Sequence, residues 1–262
     1  MTETKPFGLR FVGAATTARA VAHSVPSWFT EMPSGAPVVW VSTSTWVADC
    51  ADALRDGAQL VIVDRPGIAN AGGPGVSSAD IAALAGQPVV LCDEYTHVPA
   101  VQEFARQVAD LDVDWVEVMA LGGAVRSPDD LWRCLVTLTA CGLPIDTVPV
   151  VTPSPGLVAD GWSGTARVHL TGSFGSGRSM TVKAFGKFGS LELRLGDPDV
   201  AGQGEVWRTD ENGACLAPTK FQTSRRAALK EAYAALADGL AVTNRLDEYA
   251  LACKLREQMA DA

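Results

Sequence analysis

Histidine and paired cysteine are what this chain has least of. Three histidines occur in 262 residues, and the six cysteines, Cys50, Cys92, Cys134, Cys141, Cys215 and Cys253, fall singly, with no C-x-x-C pair and no histidine at ligand spacing. That pattern argues against a metal site and reads as buried, reduced thiols; Cys134 and Cys141 share one face of a predicted helix. Positive charge is also short: 21 Lys and Arg stand against 30 Asp and Glu, giving a net charge of -9 and a pI near 4.8. Without a basic field, nucleic acid and anionic membrane are excluded as partners. No apolar run approaches the roughly 20 residues of a spanning helix, and Met1 to Arg10 has no hydrophobic signal core, so the expected location is cytoplasmic. What is present is ordinary globular material, 47% hydrophobic and 19% charged, enough for two modest cores.

In the first half, short unalternating apolar runs are separated by helical stretches. Leu9 to Gly13 reads as a strand and Ala14 to Val25 as an alanine-rich helix; Pro26 to Pro37, with three prolines, reads as loop. Strand Val38 to Val41, helix Trp46 to Asp56, strand Leu60 to Val63, a capped helix opening at Ser77 to Asp80, strand Pro88 to Leu91 and helix Pro99 to Leu111 follow. Such strands, apolar on both faces, require a parallel sheet covered on both sides. From Val113 the strands alternate instead, as in Ala166 to Leu170 and Leu191 to Leu195, which marks an antiparallel sheet with one face leaning to solvent. A helix over Pro128 to Cys141 and two closing helices, Ser224 to Ala241 and Arg245 to Ala260, complete the reading. The expected fold class is therefore α/β plus α+β: a truncated Rossmann-like parallel sheet over 1-111, then an open, mainly antiparallel sheet with packed helices over 112-262, the last helices packing back on the first domain.

Three stretches carry a resemblance. Val38 to Thr45, a helix ending at Gly57, and Leu60 to Val63 running into Asp64-Arg65-Pro66 is similar to a strand, small polar turn, helix and strand closed by Glu-Lys-Pro. Tyr95-Thr96-His97-Val98-Pro99 is similar to a tyrosine, an arginine or histidine, and a helix-opening proline. Met180 to Leu193 contains a G-x-x-G hairpin, Gly186 to Gly189. In this order they resemble the Gfo/Idh/MocA oxidoreductase superfamily. That resemblance implies a nicotinamide coenzyme at the first βα turn, a proton-handling lysine in Glu-Lys-Pro, an Asp-x-x-x-His pair on a later helix, and dimerisation through the open sheet.

Against that pattern the chain departs at four points. The turn reads Gly13-Ala14-Ala15-Thr16-Thr17-Ala18, one glycine where G-x-G-x-x-G supplies close backbone approach to a pyrophosphate. Between Val25 and Val38 no strand ending in a ribose-binding acid is expected, Glu31 being the only substitute, so the domain is taken as shortened there. Arg65 stands at the lysine position, and a guanidinium anchors anions but does not cycle a proton near neutrality. The later helix reads Asp129-Asp130-Leu131-Trp132-Arg133, with Trp132 at the histidine place.

Arg65, Tyr95, His97, Trp132 and Asp129 are thus the candidate catalytic residues lining a cleft, while Gly13, Thr16, Thr17, Ser42 and Thr43 are the candidates for holding a coenzyme. Each also has a plainer reading: Asp129-Asp130 as a helix cap, Asp93-Glu94 as a solvated loop, His23 as a solvated helix end, His169 as a hydrogen-bonded sheet residue. The expected function is a degenerate, non-redox binding or accessory subunit or a cofactor-independent enzyme, with no cofactor, a small polar or anionic ligand, and a partner that is a second copy or a complete family relative. The alternative is an NAD(P)-dependent oxidoreductase acting on a small polar carbonyl, imine or sugar.

Overall fold

The computed structural model describes residues 5–67, 76–122, 128–153, 157–174, 177–198, 204–218, 220–242 and 245–260. The chain opens with β1 (Phe7–Gly13), which ends at a glycine with φ 85°, where a Cβ would collide with the Ser42 carbonyl oxygen. Only glycine combines that dihedral with that approach. Helix α1 (Thr16–His23) follows, and then β2 (Phe29–Glu31), a three-residue strand pairing parallel to Phe7–Leu9. This corrects the expectation of continuous loop from Pro26 to Pro37. Phe29 buries its ring in the core beside Leu9 and Val38, and three residues are too few to show a periodicity.

Strand β3 (Val38–Ser42), helix α2 (Trp46–Arg55), strand β4 (Leu60–Asp64), helix α3 (Ser78–Ala82) and strand β5 (Val89–Cys92) complete a five-stranded sheet of order β2-β1-β3-β4-β5. Its pairings are parallel. Every residue of β4 and β5 is buried, as strands covered on both faces demand. A capping box opens α3: the Ser77 hydroxyl accepts from the Asp80 amide while the Asp80 carboxylate accepts from the Ser77 amide.

After α4 (Pro99–Val108) come β6 (Val113–Gly122), α5 (Pro128–Ala140), β7 (Thr147–Pro153), β8 (Leu157–Ser163), β9 (Ala166–Phe174), β10 (Ser179–Gly186), β11 (Gly189–Leu195), β12 (Glu205–Asp210) and β13 (Gly213–Leu216). They form an eight-stranded sheet of order β13-β12-β11-β10-β6-β9-β8-β7. All of its pairings are antiparallel except β6 with β9. One face carries Val116, Val118, Val168, Leu170, Val182 and Leu193 into the core. On the other, register aligns Trp162, Arg167, Trp115 and Phe185 in one cross-strand row, with the Arg167 guanidinium over the Trp115 ring.

Helices α6 (Ser224–Asp238) and α7 (Leu246–Ala260) close the chain. Two compact units result, Met1–Asp93 with Ser224–Ala250, and Glu94–Thr223 with Leu251–Ala262. The division falls after Asp93 and not at residue 111, because α4 packs on β11 and β12. Helix α6 packs on β4, β5 and α1 of the first unit. Among the described residues no helix is long and apolar enough to cross a membrane.

Candidate functional site

The carboxyl ends of β1 and β3 meet at the first βα turn. The Ser42 hydroxyl donates to the Ala14 carbonyl oxygen at 3.4 Å, and the Thr43 and Thr45 hydroxyls both donate to the Asp49 carboxylate in the first turn of α2. Ser42 therefore ties the end of β3 to the first turn, while Thr43 and Thr45 hold the start of α2. Ala15, the N-cap of α1, offers no side-chain acceptor to that helix, and Thr16 and Thr17 at its head are exposed. An uncapped helix start carries unpaired amides and the positive end of the helix dipole, the two elements of an anion site.

Beside it, β2 ends on an acid. Arg19 of α1 donates through Nε to both Glu31 carboxylate oxygens, at 2.9 and 3.1 Å, and His23 Nε2 lies 3.2 Å from one of them. The Arg19 guanidinium also lies over the Phe11 ring of β1, 4.8 Å from its centroid. His23, expected to be solvated, is largely exposed and part of this cluster. Glu31 falls near the spacing, about 20 residues past the turn, at which dinucleotide folds place a ribose acid.

Asp64 ends β4, and Arg65-Pro66 follow it. Asp64 is buried and receives Arg225 Nε of α6 on both oxygens, at 3.0 and 3.2 Å. Burial pushes the Asp64 carboxyl above its ordinary range, opposed by the Arg225 charge and hydrogen bond. Arg65 has φ 51°, the one non-glycine with positive φ among the described residues, and its amide donates to the Cys92 carbonyl oxygen at 2.8 Å. Held left-handed backbone of this kind costs of order 1–3 kcal/mol and tends to sit where ligands bind.

In the second unit, Glu94 is not a solvated loop residue, and that expectation is corrected. Its carboxylate is buried between Arg133 of α5 at 3.0 Å and Arg178 at 2.7 Å, and Arg178 reaches on to Asp197 at 3.3 Å. Asp93 is buried too, and its carbonyl oxygen accepts from the Ser224 hydroxyl at the head of α6. The Tyr95 hydroxyl donates to the Gly196 carbonyl oxygen at 3.1 Å, and burial, with the Glu94 charge, holds the phenol protonated. His97 is 3% and Trp132 1% exposed, so both side chains are buried. Asp129 lies on α5, and its side chain is outside the described residues. His169 bonds Asp160 at 3.0 Å and stacks on Trp115, a structural role.

Gly13, Thr16, Thr17, Ser42, Thr43 and Arg65 thus share the carboxyl edge of the parallel sheet. Tyr95, His97 and Trp132 belong to the second unit. Sequence reading missed Arg19, whose only local signal is its place on the α1 face above Glu31. It also missed Arg133, Arg178 and Arg225 as partners of buried acids, for which no local signal exists.

No protein family and no curated protein matches the chain in sequence. Solved structures do match in shape. An oxidoreductase from Sinorhizobium meliloti superposes with a TM-score of 0.73 at 15% identity, covering 98% of this chain and 97% of its own. UDP-N-acetylglucosamine 3-dehydrogenase from Acidithiobacillus ferrooxidans gives 0.72 at 12%, with 97% of each chain covered. An oxidoreductase from Agrobacterium radiobacter, solved in complex with NAD+, L-tartaric acid and magnesium, gives 0.70 at 13%, covering 97% of this chain and 95% of its own.

The fold is that of the Gfo/Idh/MocA-type oxidoreductases.

The expectation that no cofactor is used is corrected by the same comparison, since a protein of this fold is solved with NAD+ bound. The region taken as shortened also holds a short parallel strand, β2, which ends on Glu31.

Proposed function

We propose that the chain is an NAD(P)-dependent oxidoreductase acting on a small polar carbonyl, imine or sugar. The observation that carries the proposal is the first βαβ unit. Gly13 sits at φ 85° in a turn with no room for a side chain, an uncapped α1 begins three residues later, and β2 returns parallel and ends on Glu31. The residues present fit the phosphate end of a dinucleotide: backbone and exposed Thr16 and Thr17 hydroxyls at a helix start donate to an anion. Ala15 and Ala18 stand where G-x-G-x-x-G has glycines, and both methyls are buried inside the unit. When bound, the coenzyme supplies hydride chemistry.

The chain's own part falls to the sheet edge. Arg65 presents a planar, permanently charged fork that binds and polarises a carboxylate, phosphate or developing oxyanion and keeps its protons. The lysine-like proton donation that the resemblance implies is therefore not assigned to it. Asp64, tied to Arg225, sets the backbone from which Arg65 projects.

Fluorescence and calorimetric titration of NADH and NADPH tests the reading. Micromolar binding of one of them is expected, abolished in Gly13→Val with circular dichroism unchanged. Binding of neither at millimolar coenzyme would overturn it.

A further inference from the structure

Coenzyme choice in this fold turns on what the chain offers beyond the carboxyl ends of β1 and β2, where a carboxylate accepts from a ribose 2′-hydroxyl and a cation donates to a 2′-phosphate. Glu31 looks like the former by spacing. Register says otherwise. Glu31 pairs with Leu9, and β1 continues four residues further to Gly13, about 13 Å at 3.3 Å per residue. The backbone of the acid therefore stands below the edge at which the turn and the α1 start are found, and its carboxylate is turned to a neighbour on α1.

Between Glu31 and that edge lies Arg19. Its guanidinium lies over Phe11, two residues short of Gly13. The Nε edge is spent on both oxygens of Glu31, which neutralises the acid and fixes the plane of the guanidinium. The two terminal nitrogens of Arg19 make no hydrogen bond to any described residue. His23 stands on the same carboxylate one turn further along α1. A ribose hydroxyl approaching this corner meets an acid whose charge Arg19 already balances and which His23 also contacts. A phosphate dianion meets a pre-oriented fork of free donors, the geometry in which arginine binds phosphate best.

Resting on the oxidoreductase reading above, we infer that Arg19, positioned by Glu31 and Phe11, is a 2′-phosphate site that makes the chain select NADPH over NADH. Glu31 acts as the positioning residue and not as a ribose ligand. Discrimination on the order of 10- to 100-fold is expected, the range of hydrogen bonds to charged groups.

The test is calorimetric, on the purified full chain, with NADPH, NADH and the fragments 2′,5′-ADP and 5′-AMP. NADPH is expected to bind more tightly than NADH, and 2′,5′-ADP more tightly than 5′-AMP, each by at least about tenfold. Arg19→Ala removes the difference with its fold intact, since the side chain is 43% exposed. Arg19→Lys keeps part of the difference, and Glu31→Gln leaves the phosphate preference standing while slackening it. Equal or tighter binding of NADH, or a preference that survives Arg19→Ala, overturns the inference and leaves the oxidoreductase reading in place. Binding of neither coenzyme overturns both.

Discussion

Two arginine–carboxylate pairs in the same unit, Arg225–Asp64 and Arg19–Glu31, have nearly the same geometry: in each, Nε donates to both oxygens at 2.9 to 3.2 Å. They differ in exposure, 11% and 6% for the side chains of the first against 43% and 37% for the second. The buried pair is a clamp, tying the end of β4 to α6, because neither charge can return to water alone. The exposed pair is free to exchange partners, because water takes over whichever charge is released. Burial, and not pair chemistry, separates a structural arginine from one available to a ligand.

The comparison breaks if both pairs cost the same to remove. Arg225→Ala leaves Asp64 buried without its cation and is expected to cost about 3–5 kcal/mol in denaturant unfolding. That loss also depends on pH with a definite sign. Burial already raises the Asp64 folded-state pKa above its unfolded value near 3.9. Its contribution to stability is therefore present below about pH 4 and is lost as pH rises through the folded value, and removing Arg225 widens that window. The Arg225→Ala defect is expected to be smaller at pH 4 than at pH 8, and a constant defect would show that Asp64 does not titrate as a buried group.

Smaller effects sharpen the contrast. Gly13→Ala forces a side chain into left-handed backbone against the Ser42 carbonyl and is expected to lower stability by about 1–3 kcal/mol in thermal unfolding, with coenzyme binding lost alongside. Ser77→Ala removes one arm of the α3 capping box, worth about 1 kcal/mol in denaturant unfolding. Hydrogen bonds from the Ser77 hydroxyl and amide hold Asp80 below the usual carboxylate range. The box is therefore intact above about pH 4 and fades as pH falls through the lowered value, which amide exchange in α3 reads directly. Smallest of all, Arg19→Ala is expected to cost under about 1 kcal/mol, as exposed ion pairs do. A larger loss would make Arg19 a clamp like Arg225.

Strands β3, β4 and β5 were legible because fully apolar runs between helices have one stable use, a sheet covered on both faces. The alternating strands of the second half were legible for the matching reason, one covered face. Strand β2 was not, since its three residues are specified by their partner in β1 and by the burial of Phe29, neither of which is local. The candidates from Gly13 to Thr43 were singled out by the turn motif, but the bonds that the Ser42 and Thr43 hydroxyls make to Ala14 and Asp49 were not legible. Glu94 looked solvated because its two cations, Arg133 and Arg178, come from α5 and from a residue 84 positions away.

Residue order alone determined the two kinds of sheet, the helices α1, α2 and α3 of the first half and the single glycine at the first turn, because periodicity and backbone freedom are properties of short segments. Tertiary structure decided which carboxylates are clamps and which are open to ligands. Charge pairing and burial depend on side chains that approach from far along the chain, as Arg225 approaches Asp64 from 161 residues away.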